Sequence, residues 1–335
     1  MTTPARADPA IRVDGRTYVR VRRDQVTVSV VIPAYDAAPF IERALDSVCA
    51  QTRPADETIV VNDGSTDETA AVASGYFARY RMNGRVLSQE NRGMAAARNV
   101  GMRAASGAYI ALLDSDDLWY PTKLATVARE LTAYPAADLI CHNENIRRDG
   151  TIIRMSHRRL PDGNVYEALL FDGNLLSPSA VVVRREAALA IGGFDERREY
   201  LTVEDYDFWM RFSRRFSIRF IDDVLGEYVL HERSASRRIV FHHANLEGML
   251  RDHMDVYLRS HPNPMARLRV RRRLAQVYRS AVRQLVMYGE RGRDQRELVG
   301  RMLRTYPFEL RNIAVALLWA STALRRPIEA ASLRG

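Results

Sequence analysis

YIALLDSDDLW, residues 109–119, joins an unbroken apolar run to three carboxylates within four positions: Asp114, Asp116 and Asp117. Carboxylates this close repel, and a charged group leaving an apolar interior needs a cation or fixed donors as its partner. The apolar run reads as a strand buried on both faces, which is the habit of parallel sheets covered by helices. Working outward, the same unit recurs. VTVSVVI (26–32), ETIVV (57–61), RVLSQ (85–89), AYIALL (108–113), ADLICH (137–142) and SAVVVRR (179–185) read as strands. Between them lie helical stretches: one after Pro39 to about Ala50, one to Tyr80, MAAARNVGMRAA (94–105), and one from Pro121 to about Tyr134. This alternation predicts an α/β fold with a mostly parallel, twisted sheet flanked by helices. In such sheets ligands sit beyond the carboxyl ends of the strands. PAYD (33–36), NDGSTD (62–67) and DSDD (114–117) each follow a strand and are expected along one edge.

Each cluster has a bland reading beside the chemical one. Asp114 and Asp116 offer hard oxygen ligands for Mg²⁺ or Mn²⁺. Asp116 or Asp117 could instead cap the helix near Pro121, with Asp117 the better cap. In NDGSTD, Asp-Gly is a turn, and Ser65 with Glu68 matches a capping box; neither explains Asp63. VEDYD (203–207) crowds Glu204, Asp205 and Asp207 at a helix start, where Asp205 is either a general base or, with Thr202, half of a capping box. His231, after the strand EYVL, reads as a surface residue, a core histidine or a metal ligand. Phe208, Trp209, Phe212 and Phe216 form an apolar stripe on that helix, strands at IRFID and EYVLH follow it, and EAALAIGGF is a short helix stopped by Gly192 and Gly193. Residues 143–177 show few clear periods.

The chain has 335 residues, 47% apolar and 27% charged, so it is globular rather than disordered. Its net charge of +9 suggests phosphates, nucleic acid or an anionic membrane as partners. Acidic strand ends speak against nucleic acid. Cys49 and Cys141 sit in apolar stretches without metal-ligand spacing and read as reduced packing residues of a cytoplasmic protein. The first residues lack the apolar core of a signal peptide, and Ile313 to Leu324 is too short to span a bilayer. Residues 1–26 read as an extension, 27–238 as the catalytic domain and 239–335 as a helical region broken at Pro262 and Pro264. In that region Arg267, Arg269, Arg271, Arg272 and Arg273 precede a stripe of Leu274, Val277, Ala281 and Leu285. Two uses are open: packing on protein, including another subunit, or peripheral attachment to the inner face of a membrane.

VSVVIPAYDAAPFIERALDSVCAQT, VNDGSTDETAAVA, NRGMAAARNVGMRAASGAYIALLDSDDLWYPTKL, GGFDE, VEDYDFWMRF and LHERSAS occur in the order seen in family-2 inverting glycosyltransferases, which the chain resembles from about Thr27 to Arg238. The departure is Asp36, where that family usually has Asn. The resemblance implies a GT-A-like, Rossmann-like fold and transfer of a sugar from a nucleotide-diphosphate donor, UDP- or dTDP-linked, to a glycan, glycolipid or other hydroxyl acceptor. It implies that Pro33, Ala34 and Tyr35 border the base and that Asp63 accepts a pyrimidine N–H. Arg98 would lie near the nucleotide or its phosphates, and Asp114 and Ser115 near the ribose and sugar. Asp116, with His231 as a further contact, would hold Mn²⁺ or Mg²⁺, and Asp205 would be the base. A nucleotidyltransferase or pyrophosphorylase on a similar sheet generally carries a Gly-rich phosphate loop with a lysine after the first strand; PAYDAAPF has neither. A binding protein that has lost catalysis is opposed by the intact DSDD and VED segments.

Overall fold

The computed structural model describes residues 11–13, 16–18, 26–156, 163–231, 239–287 and 293–324. Two short strands, β1 (Ile11–Val13) and β2 (Arg16–Tyr18), pair as a hairpin. The alternating part begins with β3 (Val28–Ala34), α1 (Ile41–Cys49), β4 (Glu57–Asp63), α2 (Thr69–Tyr80), β5 (Gly84–Gln89), α3 (Met94–Ala104) and β6 (Tyr109–Leu112). It continues with β7 (Leu118–Trp119), α4 (Lys123–Ala133), β8 (Leu139–Arg148), β9 (Thr151–Met155), α5 (Val165–Asp172), β10 (Val181–Arg184), α6 (Arg185–Ala190), α7 (Glu204–Ser213) and β11 (Ile218–Leu230).

β3, β4 and β6 are buried along their whole lengths, as runs of Val and Ile on a doubly covered sheet require. One sheet runs β5-β4-β3-β6-β10-β8-β11-β7, with β9 on β8. The expected parallel pairing holds from β5 to β6, where Val31 lies opposite Ile59 and Val30 opposite Ala111. Beyond β6 the sheet is mixed. β10 is antiparallel to both its neighbours, and β11 returns parallel to β8. The carboxyl ends of β4, β3 and β6 therefore lie side by side, and the three polar clusters share one edge.

Helix α1 shows how the sheet is covered: Ile41, Ala44, Leu45 and Val48 recur at helical spacing and are all buried. Helix α3 lies closer still. A Cβ on Gly101 would come within 2.3 Å of the Val31 side chain, so only glycine permits this approach to β3. At the opposite edge, Glu57 accepts the Ser29 hydroxyl at 2.7 Å and the Ser106 amide at 2.5 Å. Against the upward push of burial, the Ser106 and Ser29 hydroxyls, the Ser106 amide and Arg85 lower its pKa to about 2.

Several expectations are revised. The apolar segments IRFID and EYVLH are one strand; irregular register between Ile221 and Val224, and between Val224 and Glu227, absorbs the residues between them. The Ser65–Glu68 capping box does not form. Ser65 accepts the Asp36 amide instead, and Glu68 stands at the N-cap with no side-chain bond. Val203 is the N-cap of α7, and Thr202 takes a left-handed φ of 72°. Cys49 is exposed, at the end of α1, rather than packed; Cys141 is buried, and both are free thiols. Residues 143–177, opaque in sequence, supply the end of β8, its hairpin partner β9 and α5.

The chain divides into two compact units, residues 1–169 with 174–232, and residues 170–173 with 233–335. The expected boundary at 238 lies outside the described residues. The second unit contains α8 (Ile239–Ser260), α9 (Pro264–Met287), α10 (Arg293–Thr305) and α11 (Leu310–Leu324). Pro264 opens α9, where its missing N–H costs nothing. Leu274, Val277, Ala281 and Leu285 are all buried in this bundle, so the stripe of α9 is spent on packing. Among the described residues no helix is long and apolar enough to cross a membrane.

Candidate active site

β3 ends in Pro33 and Ala34, both buried, and Tyr35 emerges beside them half-exposed. Asp36 follows with a left-handed φ of 46°, and its carboxylate accepts the Thr66 amide at 2.8 Å. Asp and Asn tolerate this conformation better than most residues do, which suits the one departure from the family pattern. At the end of β4, Asp63 is buried. Its Oδ1 accepts Gln89 Nε2 at 2.6 Å and the Arg92 amide at 2.9 Å, and its Oδ2 accepts the Gly93 amide at 2.8 Å. Asp63 thus fixes the 89–93 loop and keeps lone-pair capacity on Oδ2. Gly64 beside it has φ 72°, and a Cβ there would sit 2.7 Å from the Asn91 amide nitrogen.

Arg98, on α3, was expected toward the nucleotide. Only 3% exposed, it lies between two acids. One guanidinium nitrogen is 2.8 Å from Asp114 Oδ1 at the end of β6, and the other is 2.8 Å from Glu204 Oε1 on α7. Its plane also rests near the Phe194 ring, 5.4 Å from the centroid. Arg98 therefore braces the sheet edge against the helix that carries Asp205. Burial raises the Asp114 pKa, Arg98 pulls it back, and Asp116 adds to the rise.

Asp117 is not a helix cap. Its Oδ2 accepts the Ser179 hydroxyl at 2.6 Å and its Oδ1 accepts the Val229 amide at 2.9 Å. Thr122 is the N-cap of α4. Burial, with Asp116, Glu144 and Asp114 close by, pushes the Asp117 carboxyl well up. Ser179 is the pivot of this loop. Its hydroxyl also accepts the Asp114 amide at 3.0 Å, while its carbonyl accepts Lys123 Nζ at 2.5 Å and Trp119 Nε1 at 2.8 Å. Lys123 is fully buried, 3.6 Å from the Trp119 centroid, and burial holds its ammonium pKa well below the usual lysine range.

Ser115 and Asp116 lie between these anchors, partly exposed. Asp116 Oδ2 is 2.6 Å from His231 Nε2, and His231 stacks on Phe40 at 4.8 Å. Asp205 opens α7 in its first turn, accepting the Tyr206 amide at 2.7 Å and Asn174 Nδ2 at 3.1 Å. Burial and Glu204 push its carboxyl up to about 6, against Arg98, the Tyr206 amide and Asn174. Tyr228 registers the convergence. Burial, then Asp117, Asp116, Asp114 and Asp205 together, drive its phenol well above the usual range.

Four carboxylates within electrostatic reach of one phenol, with Arg98 already divided between two acids, make an acidic edge short of positive charge. That donor set suits a divalent cation: Asp116 supplies a partly exposed hard oxygen and His231 an imidazole. Among the described residues no three His, Cys, Asp or Glu side chains group as ligands, so a cation held here would take most of its shell from water and substrate oxygens. Glu204, Ser179, Asn174 and Phe40 carried no sequence signal for these roles, because each acts through a partner remote in the chain.

Residues 29–192 match the family model "Glycosyl transferase family 2". An uncharacterised glycosyltransferase of Rickettsia prowazekii is 34% identical over 216 residues, covering 61% of this chain and 64% of that protein. The chain thus spans a little under two thirds of that relative's length. TarS 1–349 of S. aureus in complex with UDP-GlcNAc superposes with a TM-score of 0.55 at 18% identity, covering 84% of this chain and 89% of that one. The mannosyltransferase PcManGT of Pyrobaculum calidifontis, in complex with GDP-Man and Mn²⁺, gives 0.55 at 19% identity, covering 90% and 82%. At these identities the two structures establish the fold.

Proposed function

The chain belongs, through residues 29–192, to glycosyl transferase family 2, and from that premise we propose that it transfers a sugar from a nucleotide-diphosphate donor to an acceptor hydroxyl with inversion. The observation that carries the reading is the acidic edge itself. Asp114, Asp116, Asp117 and Asp205 all act on Tyr228, and Asp205 sits apart on α7 with a pKa near 6. A general base works best when its pKa lies near the working pH.

In this mechanism Asp205 takes the proton of the acceptor hydroxyl as its oxygen attacks the anomeric carbon. The bond from that carbon to the diphosphate oxygen breaks on the opposite face, and the electron pair leaves with the nucleoside diphosphate. Asn174 and the Tyr206 amide orient Asp205, while Glu204 and Arg98 hold the start of α7 to β6. Pro33, Ala34 and Tyr35 border the base, and the spare Oδ2 lone pair of Asp63 accepts a pyrimidine N–H. Asp114 and Ser115 meet the ribose and sugar. Asp116 and His231 would hold a divalent cation, which when bound offsets the charge of the diphosphate. The two solved structures, with UDP-GlcNAc and with GDP-Man, show that this fold accommodates different bases. The uridine or thymidine preference therefore rests on Asp63 alone.

The test is a panel of nucleotide sugars with Mn²⁺ or Mg²⁺, read as transfer or slow donor hydrolysis. A nucleoside diphosphate should be released with one donor, and the activity should vanish in Asp116→Ala while that variant melts as the wild type does. Release of pyrophosphate instead would point to a nucleotidyltransferase. Donor binding without turnover under any metal would leave a binding protein.

A further inference from the structure

We propose that the corner of the second unit built by the α10–α11 turn and the start of α11 inserts into the surface of an anionic membrane. Phe308 and Leu310, on either side of Glu309, are 86% and 80% exposed. Along α11 the outward stripe continues through Ile313 and Leu317, the latter 64% exposed, at helical spacing. The other face is engaged: Asn312 is buried against the Tyr306 carbonyl and Arg279, and Trp319 Nε1 reaches Gln295 at 3.1 Å. The helix is therefore seated, with an apolar ridge left in water. Large apolar side chains clustered this way mark an interaction surface rather than scattered exposure.

Charge selects the occupant. Residues 239–335 hold 18 arginines against 8 acidic residues, whereas residues 1–238 hold 32 basic against 33 acidic. The excess of the whole chain thus lies in this region. It also lies at the ridge. Exposed Arg271 donates to the Thr305 carbonyl at 2.9 Å, exposed Arg272 is 3.8 Å from Glu309, and Arg311 is exposed on the first turn of α11. Glu309, an acid at the tip, is bound by Arg279 at 2.9 Å. An apolar wedge with a basic rim matches the boundary between acyl chains and anionic headgroups, where apolar burial and surface charge act together. A protein partner of the same fit would need its own acidic, apolar-centred face. A second copy of this corner would set arginines against arginines.

The test uses the full chain and needs no transferase assay. Vesicles of phosphatidylcholine alone, and mixed with phosphatidylglycerol, are sedimented with the protein at low and high salt. The wild type should sediment with the anionic vesicles at low salt and be released at high salt. Phe308→Ser with Leu310→Ser should weaken this binding at least ~10-fold. Arg271→Gln and Arg272→Gln should each weaken it about fivefold and flatten the salt dependence. All four positions are exposed, so unchanged thermal unfolding should accompany each loss. The proposal is overturned if the full chain ignores anionic vesicles at low salt, if neutral vesicles bind it equally, or if the serine pair binds like the wild type. It is overturned equally if the chain self-associates in solution and the serine pair is monomeric, since the ridge then meets a second copy.

Discussion

Asp205 can be separated from its neighbours by pH. Its carboxyl titrates near 6, so transfer should fall about tenfold for each pH unit below that value, as the base becomes protonated. Asp205→Asn should reduce transfer by at least ~10²-fold while leaving donor and metal binding in place. The stability effect has the opposite sign. A carboxyl whose folded pKa is raised favours the fold when protonated, and that contribution is lost as pH rises through 6. The Asn variant should therefore melt no lower than the wild type at pH 8, and any advantage should shrink toward pH 4. A variant that loses rate and melting temperature together would make Asp205 a structural residue. Ser179 should behave differently. Ser179→Ala removes a donor from buried Asp117 and an acceptor from the Asp114 amide, so it should cost about 1–3 kcal/mol, seen as a lower melting temperature, and reduce transfer as the loop loosens. Wild-type melting would make the serine dispensable to the loop. Asp205 stands out as a candidate in sequence because three acids at a helix start exceed what a cap uses. Ser179 does not, because SPSA reads as an ordinary turn and its partners lie 62 and 65 residues away.

At the scale of elements, the sheet edge was readable and the direction of its strands was not. Apolar β-branched runs announce burial, and polar residues after them announce the edge. SAVVVRR, however, contains nothing that separates a parallel from an antiparallel strand, and β10 enters between β6 and β8 against the direction of both. IRFID and EYVLH read as separate strands, but register irregularities let one strand carry Val229, which holds Asp117, and end at Leu230, next to His231. The Ser65–Glu68 capping box does not form, and the Ser65 hydroxyl accepts the Asp36 amide from the neighbouring strand end instead. Helix α3 gives a test of how closely the elements must fit. Gly101→Ala would drive a methyl into Val31, 2.3 Å away, so α3 must shift from β3. The expected cost is about 1–3 kcal/mol in thermal unfolding. Because Arg98 rides on the same helix, transfer should fall further than donor affinity. An unchanged melting temperature would show that the contact relaxes freely.

For the whole molecule, the two units separate two kinds of charge. The first concentrates carboxylates along a strand edge, and the second holds the arginine excess. Ligand linkage can show which unit carries the site. A ligand that binds only the folded state stabilises it by RT ln(1 + [L]/Kd), about 2.7 kcal/mol at a hundredfold excess over Kd. For a unit of this size that corresponds to a rise of roughly 5–10 °C. A nucleoside diphosphate with Mn²⁺ should produce such a rise in the transition that loses the sheet. Chelation of the metal should remove most of it, because the acidic edge then faces the diphosphate without a cation. Asp116→Ala should show the same loss with metal present, while Phe308→Ser with Leu310→Ser should shift like the wild type. The pattern is diagnostic in both directions. A full shift in Asp116→Ala would place the metal elsewhere. A full shift after chelation would mean that the chain's own cations, Arg98 foremost, suffice for the diphosphate, and the role given to Asp116 and His231 would fall.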